Sequence, residues 1–323
     1  MPDVCSGFEP VAADHVIMSE PEIPAELGRL MAQVGPKWKT DTRGHIRLMI
    51  EEFSKVLAHA PKGGVSVETN ISYGPHERQA FDLFRPSAAS GPRPALIFVH
   101  GGAFTDGSRH RSDEIYANVL YYFARHGVVG INTGYRLASD AKYPEATNDI
   151  ATVVKWTHEN AETLGIDPAR IFLMGHSAGG AHAGSYAYDK RLHPAEGPGL
   201  AGLFIISGRV RADNRPDNPN ALRVEAYYGD DASLYDEVSP VTHVEAGSVP
   251  TFIAAAEFEN PLIDVYCLEL AYRLAAAKNY APPFYWLKGH NHTSIIAHFN
   301  TAEDALGRAC LAFMEQPQRR QTD

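Results

Sequence analysis

The segment IFLMGHSAGG, residues 171–180, decides the fold that this sequence predicts. An apolar run of strand length leads into the pattern G-x-S-x-G, and an alanine-rich helix candidate follows. A strand that turns this sharply into a helix strains Ser177, so only small neighbours such as Gly175 and Gly179 avoid clashes. The first N–H groups of the helix would then point at the serine hydroxyl. The pattern predicts a nucleophile elbow at Ser177, and the alternative is a tight turn without a chemical role.

Short apolar runs alternate with helix candidates along most of the chain. The runs are ALIFV (95–99), VVGIN (128–132), IFLM (171–174), LFIIS (203–207), TFIAAA (251–256) and FYWL (284–287). The helix candidates are Ile115 to His126, Thr147 to Leu164, Gly180 to Lys190, Val265 to Lys278 and Thr301 to Met314. Two earlier segments, Val65 to Tyr73 and Gln79 to Phe84, flank a Gly-Pro turn and predict an antiparallel pair. Because uninterrupted apolar runs suit strands buried on both faces, we expect an α/β fold with a mostly parallel, doubly wound sheet flanked by helices.

The chain before the sheet has a different character. Residues 1–62 are punctuated by prolines and contain two helix candidates, Ala25 to Val34 and Gly44 to His59. The second has an apolar face at three- and four-residue steps, which indicates that it packs on another part of the protein. We predict an N-terminal helical cap segment over 1–62 and a catalytic domain over 63–323. The long polar stretch 208–239, which contains prolines, is predicted to be a cap loop.

A second glycine motif, His100-Gly101-Gly102-Ala103, follows the strand candidate ALIFV. Glycines there let backbone N–H groups come close to a substrate carbonyl oxygen. We expect the amides of Gly102 and Ala103, with that of Ala178 after the serine, to form an oxyanion hole. His100 is expected to be a structural hydrogen-bonding residue rather than a base. The alternative for the whole motif is a simple turn that ends a strand.

Six motifs occur in the order seen in α/β-hydrolases: HGGAF, YRLA, YPEATNDI, DPARIFLMGHSAGG, the Ser-Pro pair at 239–240, and GHNHTSII. Over residues 65–315 the sequence resembles the hormone-sensitive-lipase-like and arylformamidase-like esterases of that superfamily. The resemblance implies the α/β-hydrolase fold and hydrolysis of esters, or less often amides, without a metal or organic cofactor. The sequence departs from the family pattern at Ala103, which replaces the third glycine of HGGG, and at the acid, which is a glutamate.

The resemblance also implies an acid and then a histidine after Ser177 in the chain. The stretch AAAEFENPLID supplies Glu257, Glu259 and Asp264, and the family pattern of a strand followed by an acidic loop favours Glu259. Glu257 would lie in or beside the strand, and Asp264 would start the next helix as an N-cap. Glutamate has one more methylene than aspartate and can still orient an imidazole if its loop lies farther back.

Two histidines of GHNHTSII, His290 and His292, are candidates for the base. The family pattern has a histidine, one further residue and then a serine at the start of the last helix, which matches His-Thr-Ser at 292–294 and favours His292. A different interpretation takes His290, His292 and His298 as metal ligands. That set lacks an obvious supporting carboxylate at helical spacing.

The triad implied by the resemblance is Ser177, Glu259 and His292. It predicts a serine carboxylesterase that cleaves small to medium carboxylic esters through an acyl-enzyme on Ser177. One alternative is an amidase, such as an arylformamidase, with the same three residues. Another is a binding protein with this fold and no activity, which would require a broken triad.

The composition limits the partners that we expect. The 323 residues have a formal net charge of −10, which gives no sign of a basic surface for nucleic acid or an anionic membrane. We therefore expect a small-molecule substrate as the partner. Three widely spaced cysteines, Cys5, Cys267 and Cys310, and a first segment without a signal-peptide pattern indicate a cytoplasmic protein. The apolar runs are too short to span a bilayer. The sequence leaves open whether the protein forms a homodimer.

Overall fold

The computed structural model describes residues 23–87, 91–138 and 140–316, and these residues form an eight-stranded sheet with helices on both faces. The strands are β1 (Val65–Ser72), β2 (Ala80–Pro86), β3 (Arg93–Val99), β4 (Val129–Thr133), β5 (Ile166–His176), β6 (Gly202–Ile206), β7 (Thr251–Phe258) and β8 (Phe284–Asn291). Their order in the sheet is β1-β2-β4-β3-β5-β6-β7-β8. Strand β2 is antiparallel to both of its neighbours, and the other pairs are parallel. The predicted fold class is confirmed.

Helices cover the sheet and separate two hydrophobic cores. They are α1 (Ala25–Val34), α2 (Thr42–Leu57), α3 (Ala117–Arg125), α4 (Glu145–Glu159), α5 (Ala161–Leu164), α6 (Ala178–Tyr188), α7 (Ala221–Tyr228), α8 (Tyr235–Val238), α9 (Ile263–Lys278), α10 (Ser294–Ala297) and α11 (Ala305–Glu315). Successive strand residues alternate between the cores, as Ile97 and Leu173 belong to one and Leu96 and Met174 to the other. Burial on both faces therefore explains why the strands have apolar runs rather than an alternating pattern.

The strand register brings several loops to one edge of the sheet. Val99 pairs with Gly175, so the glycine loop after β3 begins beside the elbow after β5. At the far side, Phe258 of β7 pairs with Asn291 of β8. The residues that follow β3, β5, β7 and β8 therefore meet at the carboxyl edge, where open parallel sheets form their sites.

Several predicted elements differ from the structure in type or bounds. The polar stretch 208–239, predicted as a loop, contains α7 and α8. Its prolines and polar residues gave no helical pattern, so the two short helices were not predicted. The helix predicted over 147–164 is divided at Asn160 into α4 and α5. The last helix begins at Ala305 rather than Thr301.

The N-terminal segment packs against the sheet. Helix α1 has the predicted bounds, and α2 begins two residues before the predicted start. Met49 and Phe53 of α2 are fully buried in one of the two cores. The Trp38 Nε1–H donates a hydrogen bond of 2.8 Å to Asn260 Oδ1, so this segment is joined to the loop after β7. Residues 1–22 of the predicted cap lie outside the described residues.

Two further observations concern the expected location. Cys267 and Cys310 are buried free thiols, and Cys5 lies outside the described residues. Within the described ranges, every helix is too short or too polar to cross a lipid bilayer.

Several histidines are buried in the folded protein without charge. Burial lowers the pKa of His100 and His182 to about 3, and that of His298 to about 4. The unfolded chain binds protons at these residues near the ordinary histidine pKa of about 6.5. Their contribution to stability is therefore complete above that pH and is lost progressively as the pH falls towards the folded values.

We expect the free energy of unfolding to fall by about 2 kcal/mol for each of these histidines between pH 7 and pH 5, because the unfolded state gains the proton. Urea unfolding of the wild type and His182→Leu at both pH values measures this. His182 packs among the rings of Phe104, Tyr135 and Tyr227, so leucine suits its surroundings. The variant should lose about 2 kcal/mol less than the wild type. The same loss in both proteins would contradict the assignment.

Candidate active site

Ser177 lies at a sharp turn between β5 and α6. Its backbone angles, φ 55° and ψ −121°, are strained for a residue with a side chain. Two glycines allow the turn, since a Cβ on Gly175 would lie 2.4 Å from the Gly179 carbonyl oxygen. A Cβ on Gly179 would lie 2.1 Å from the Val99 carbonyl oxygen. The G-x-S-x-G spacing therefore has a steric cause in this structure.

The structure brings Ser177, His292 and Glu259 together in one chain of hydrogen bonds. The distance between Ser177 Oγ and His292 Nε2 is 3.0 Å. The distance between His292 Nδ1 and Glu259 Oε2 is 2.6 Å. The side chains of His292 and Glu259 are 5% and 0% exposed, so water has little access to the pair. The tautomer that fits both contacts carries its proton on Nδ1 and accepts the serine proton at Nε2.

Two further groups hold the Glu259 carboxylate. Its Oε1 accepts a hydrogen bond of 2.8 Å from the backbone N–H of Ala256 and another from the hydroxyl of Ser207. Each carboxylate oxygen therefore has a donor, as a buried charge requires. Sequence reasoning missed Ser207, which ends the run LFIIS and lies directly after β6.

The other two acidic candidates have different surroundings. The Glu257 carboxylate accepts a hydrogen bond of 2.7 Å from the backbone N–H of Gly289. Asp264 lies in the first turn of α9. We expected Asp264 to be the N-cap of that helix, but the N-cap is Leu262. Of the three candidates, Glu259 is the one placed against the His292 ring.

The histidine inside the serine motif contacts the His292 backbone. His176 Nε2 donates a hydrogen bond of 3.0 Å to the His292 carbonyl oxygen. The Tyr116 hydroxyl lies 3.3 Å from His176 Nδ1 and completes the pair of contacts. Burial, together with the nearby His292, lowers the pKa of His176 well below its usual value, so the ring is neutral. His176 therefore supports the position of the His292 loop and was not singled out by sequence reasoning.

The predicted oxyanion loop follows β3 and is tightly folded. Gly102 and Ala103 line the same cavity as Ser177 and His292. Ala103 and Phe104 have positive φ angles of 50° and 71°, unusual for residues with side chains. The Phe104 ring stacks on Tyr227 of α7 with a centroid distance of 5.0 Å. The strained loop is thus packed against α7.

His100 has structural contacts below this loop. Its Nδ1 lies 2.8 Å from the Gly101 carbonyl oxygen, and its own carbonyl oxygen accepts a bond of 2.8 Å from the Tyr135 hydroxyl. Its ring is fully buried. These contacts agree with the structural role expected for His100.

The metal set considered from the sequence does not form. His292 contacts Ser177 and Glu259, so its ring nitrogens are not shared with His290 and His298. Instead, His290, His298 and Glu303 are buried together, with one potential ligand atom from each within 4.8 Å of the others. His290 Nε2 lies 3.1 Å from the Glu303 carboxylate, so two of the three residues are in direct contact. Glu303 could not be recognised as a neighbour from helical spacing, because it lies in the connection before α11.

His292 also differs from the expected position relative to the helices. It precedes the short helix α10 rather than the last helix. A connecting segment, residues 298–304, separates α10 from α11. The His-Thr-Ser pattern therefore marks the correct loop but the wrong helix.

A cavity beside Ser177 is the space available to a substrate. Its volume is about 330 Å³. Its wall combines the glycine loop after β3, residues of α2 from the N-terminal segment, and Arg223 of α7. The N-terminal segment and the stretch 208–239 thus both contribute to the same cavity.

Known proteins similar to this chain support the same fold. Residues 81–198 match the family model described as BD-FAE. A versiconal hemiacetal acetate esterase of Dothistroma septosporum is 23% identical over 69% of this chain and 75% of its own length. Esterase LipC of Mycobacterium tuberculosis is 37% identical, but the alignment covers 37% of this chain and 30% of that protein.

Solved structures extend the likeness over most of the chain. A bacterial heroin esterase superposes with a TM-score of 0.64 and 24% identity, covering 92% of this chain and 97% of its own. Esterase B from Lactobacillus rhamnosis gives 0.68 and 17%, covering 90% and 96%. These likenesses show the α/β-hydrolase fold for this chain, and the relatives and neighbours named here are esterases. The α/β-hydrolase fold and the resemblance to esterases, both predicted from the motifs, are therefore confirmed for this hydrolase.

Replacing Ser207 by alanine tests how the buried carboxylate is held in the hydrolase. We expect Ser207→Ala to lower kcat for p-nitrophenyl acetate by about tenfold with little change in KM, because one donor to Glu259 is lost. Thr157→Val is the control, since the Thr157 hydroxyl is also buried but bonds within α4. Equal kcat values for Ser207→Ala, Thr157→Val and the wild type would exclude this role.

Proposed function

We propose that this hydrolase is a serine carboxylesterase that forms an acyl-enzyme on Ser177. The observation that carries the proposal is the continuous hydrogen-bond chain from Glu259 through His292 to Ser177 at the wall of a cavity. The esterase names of its relatives and structural neighbours support the same chemistry.

The first half of the reaction transfers the acyl group to the enzyme. Ser177 Oγ attacks the ester carbonyl carbon as its proton passes to His292 Nε2. Glu259 accepts the hydrogen bond from His292 Nδ1 and stabilises the imidazolium that forms. When the tetrahedral intermediate collapses, the bond to the alcohol oxygen breaks and His292 gives that oxygen its proton.

Water completes the reaction by the same route. His292 takes a proton from water, the hydroxide attacks the acyl carbon, and the bond to Ser177 Oγ breaks as the serine regains a proton. In both halves the carbonyl oxygen becomes negative. We assign its stabilisation to the backbone N–H groups of Gly102, Ala103 and Ala178, which come from the loop after β3 and the start of α6.

The size and cover of the cavity support small to medium esters as substrates. A volume of about 330 Å³ suits a molecule of modest size. We assign a covering role to the N-terminal segment up to residue 62 and to the stretch 208–239. Ile46 and Ile50 of α2 line the cavity, as does Pro219 before α7, so both segments supply apolar surface.

We also infer a cytoplasmic location and a small-molecule partner. The buried free thiols of Cys267 and Cys310 suit a reducing compartment. The acidic net charge of −10 makes nucleic acid an unsuitable partner. A homodimer remains a hypothesis.

Matched substitutions test the three roles. We expect Ser177→Ala and His292→Ala to lower kcat for p-nitrophenyl acetate by about four orders of magnitude or more, because each removes a member of one catalytic unit. Glu259→Gln should cost about three to four orders of magnitude through the loss of the carboxylate charge. Stopped-flow and steady-state kinetics with the purified, folded variants provide the measurement.

Glu257→Gln is the matched control, since glutamine can still accept the hydrogen bond from Gly289. Its kcat should stay within about threefold of the wild type. Retention of most activity by Ser177→Ala would overturn the proposed function. Equal losses for Glu257→Gln and Glu259→Gln would overturn the assignment of the acid.

A further inference from the structure

The cavity beside Ser177 has a strongly cationic wall. Its arginines come from α2, the connection after β3, the residues after β6, and α7: Arg43, Arg47, Arg111, Arg209 and Arg223. Among the described lining residues, Asp106 is the one carboxylate. The whole chain carries a formal charge of −10, so this concentration of positive charge is opposite to the protein's average.

Most of this charge is not neutralised within the protein. Arg111 lies 3.8 Å from Asp106, whose side chain is 63% exposed, and this contact is weak. Within the described ranges, no ion pair is formed by Arg43, Arg47 or Arg223. Arg43 and Arg47 are exposed at the mouth, whereas Arg223 is partly buried. These three guanidinium groups therefore give the cavity an uncompensated positive charge.

Arg209 is a buried residue of the cavity wall whose backbone contacts the serine. The residue is 3% exposed, and its backbone N–H donates a bond of 2.8 Å to the Ser177 carbonyl oxygen. Its Nη1 lies 3.3 Å from Asp213 Oδ2, an oxygen that also accepts the Tyr266 hydroxyl. Its Nη2 is buried without a hydrogen-bond partner among the described residues. An unsatisfied buried donor of this kind is costly, and it belongs to a residue that lines the cavity.

The carboxylate of Glu259 forms no ion pair with any of these arginines. Glu259 is engaged by His292, Ala256 and Ser207, so it is already committed. A guanidinium binds a carboxylate through two parallel N–H donors, which makes arginine the residue suited to this group. A neutral ester of the same size has no charge to pair with these guanidinium groups, which would then be hydrated by water instead.

We propose that the preferred substrate is an ester that carries a free carboxylate, bound by the arginines of this cavity. The inference rests on the proposed esterase function of the same site and adds the chemical class of the substrate. The carboxylate belongs to either the acyl or the alcohol part of the ester. The experiment has one arm for each.

Two matched ester pairs measure the preference. Mono-p-nitrophenyl adipate and p-nitrophenyl hexanoate have acyl chains of equal carbon number and differ in the terminal carboxylate. 4-Acetoxybenzoate and 4-acetoxybenzamide differ in charge on the alcohol side. In at least one pair, kcat/KM should be about tenfold or more higher for the anionic ester, and the ratio should fall when sodium chloride is raised from about 50 to 500 mM.

Arginine variants connect the preference to this wall. Arg47→Gln and Arg223→Gln should each lower the ratio of anionic to neutral kcat/KM by at least about threefold, mainly by raising KM for the anionic ester. Arg29→Gln is the control, because Arg29 is an exposed arginine of α1 outside the cavity. Its ratio should equal that of the wild type.

The outcomes separate the two proposals. Equal or faster hydrolysis of the neutral ester in both pairs, with Ser177→Ala inactive, would overturn the carboxylate preference and leave the esterase function standing. An anionic preference that is unchanged in both cavity variants would also overturn it. Failure to hydrolyse all four esters would overturn the proposed function, and the inference with it.

Discussion

The hydrogen bond between His292 and the buried Glu259 carboxylate, 2.6 Å long, joins the loops after β7 and β8 at the carboxyl edge of the sheet. Glu259 is fully buried, and a charge in that position is stable only if each oxygen has a donor. The Ser207 hydroxyl after β6 and the Ala256 amide in β7 donate hydrogen bonds to one carboxylate oxygen. The His292 ring after β8 donates to the other oxygen. The carboxyl ends of the neighbouring strands β6, β7 and β8 therefore have to lie level with one another in the sheet. The register of the parallel sheet provides that match.

The N-terminal segment and α7 are joined to the same edge. The hydrogen bond from Trp38 to Asn260 connects the N-terminal segment to the residue directly after Glu259. On the other side, stacking of Phe104 on Tyr227 connects the loop after β3 to α7. The elements that bring arginines into the cavity are thus held by the elements that position the reacting groups.

Local sequence determined much of the fold, and long-range contacts determined the rest. The strands were predictable because burial on both faces leaves uninterrupted apolar runs. The turn at Ser177 was predictable because its tight geometry requires glycine at Gly175 and Gly179. Glu259 could be chosen over Asp264 only with the family pattern. The Ser207 and Trp38 contacts join residues 52 and 222 positions apart, so no local periodicity signals them. The cationic cavity was not predictable, because its arginines come from separate segments of an acidic chain.

The central claim is that the Glu259–His292 pair activates Ser177 as a nucleophile. The most direct measurement is covalent labelling with an alkyl fluorophosphonate, followed by intact mass and peptide mapping. We expect one adduct per chain in the wild type, on the peptide that contains Ser177, and much slower labelling of His292→Ala. An adduct on a different serine, or labelling at Ser177 that is equally fast without His292, would contradict it.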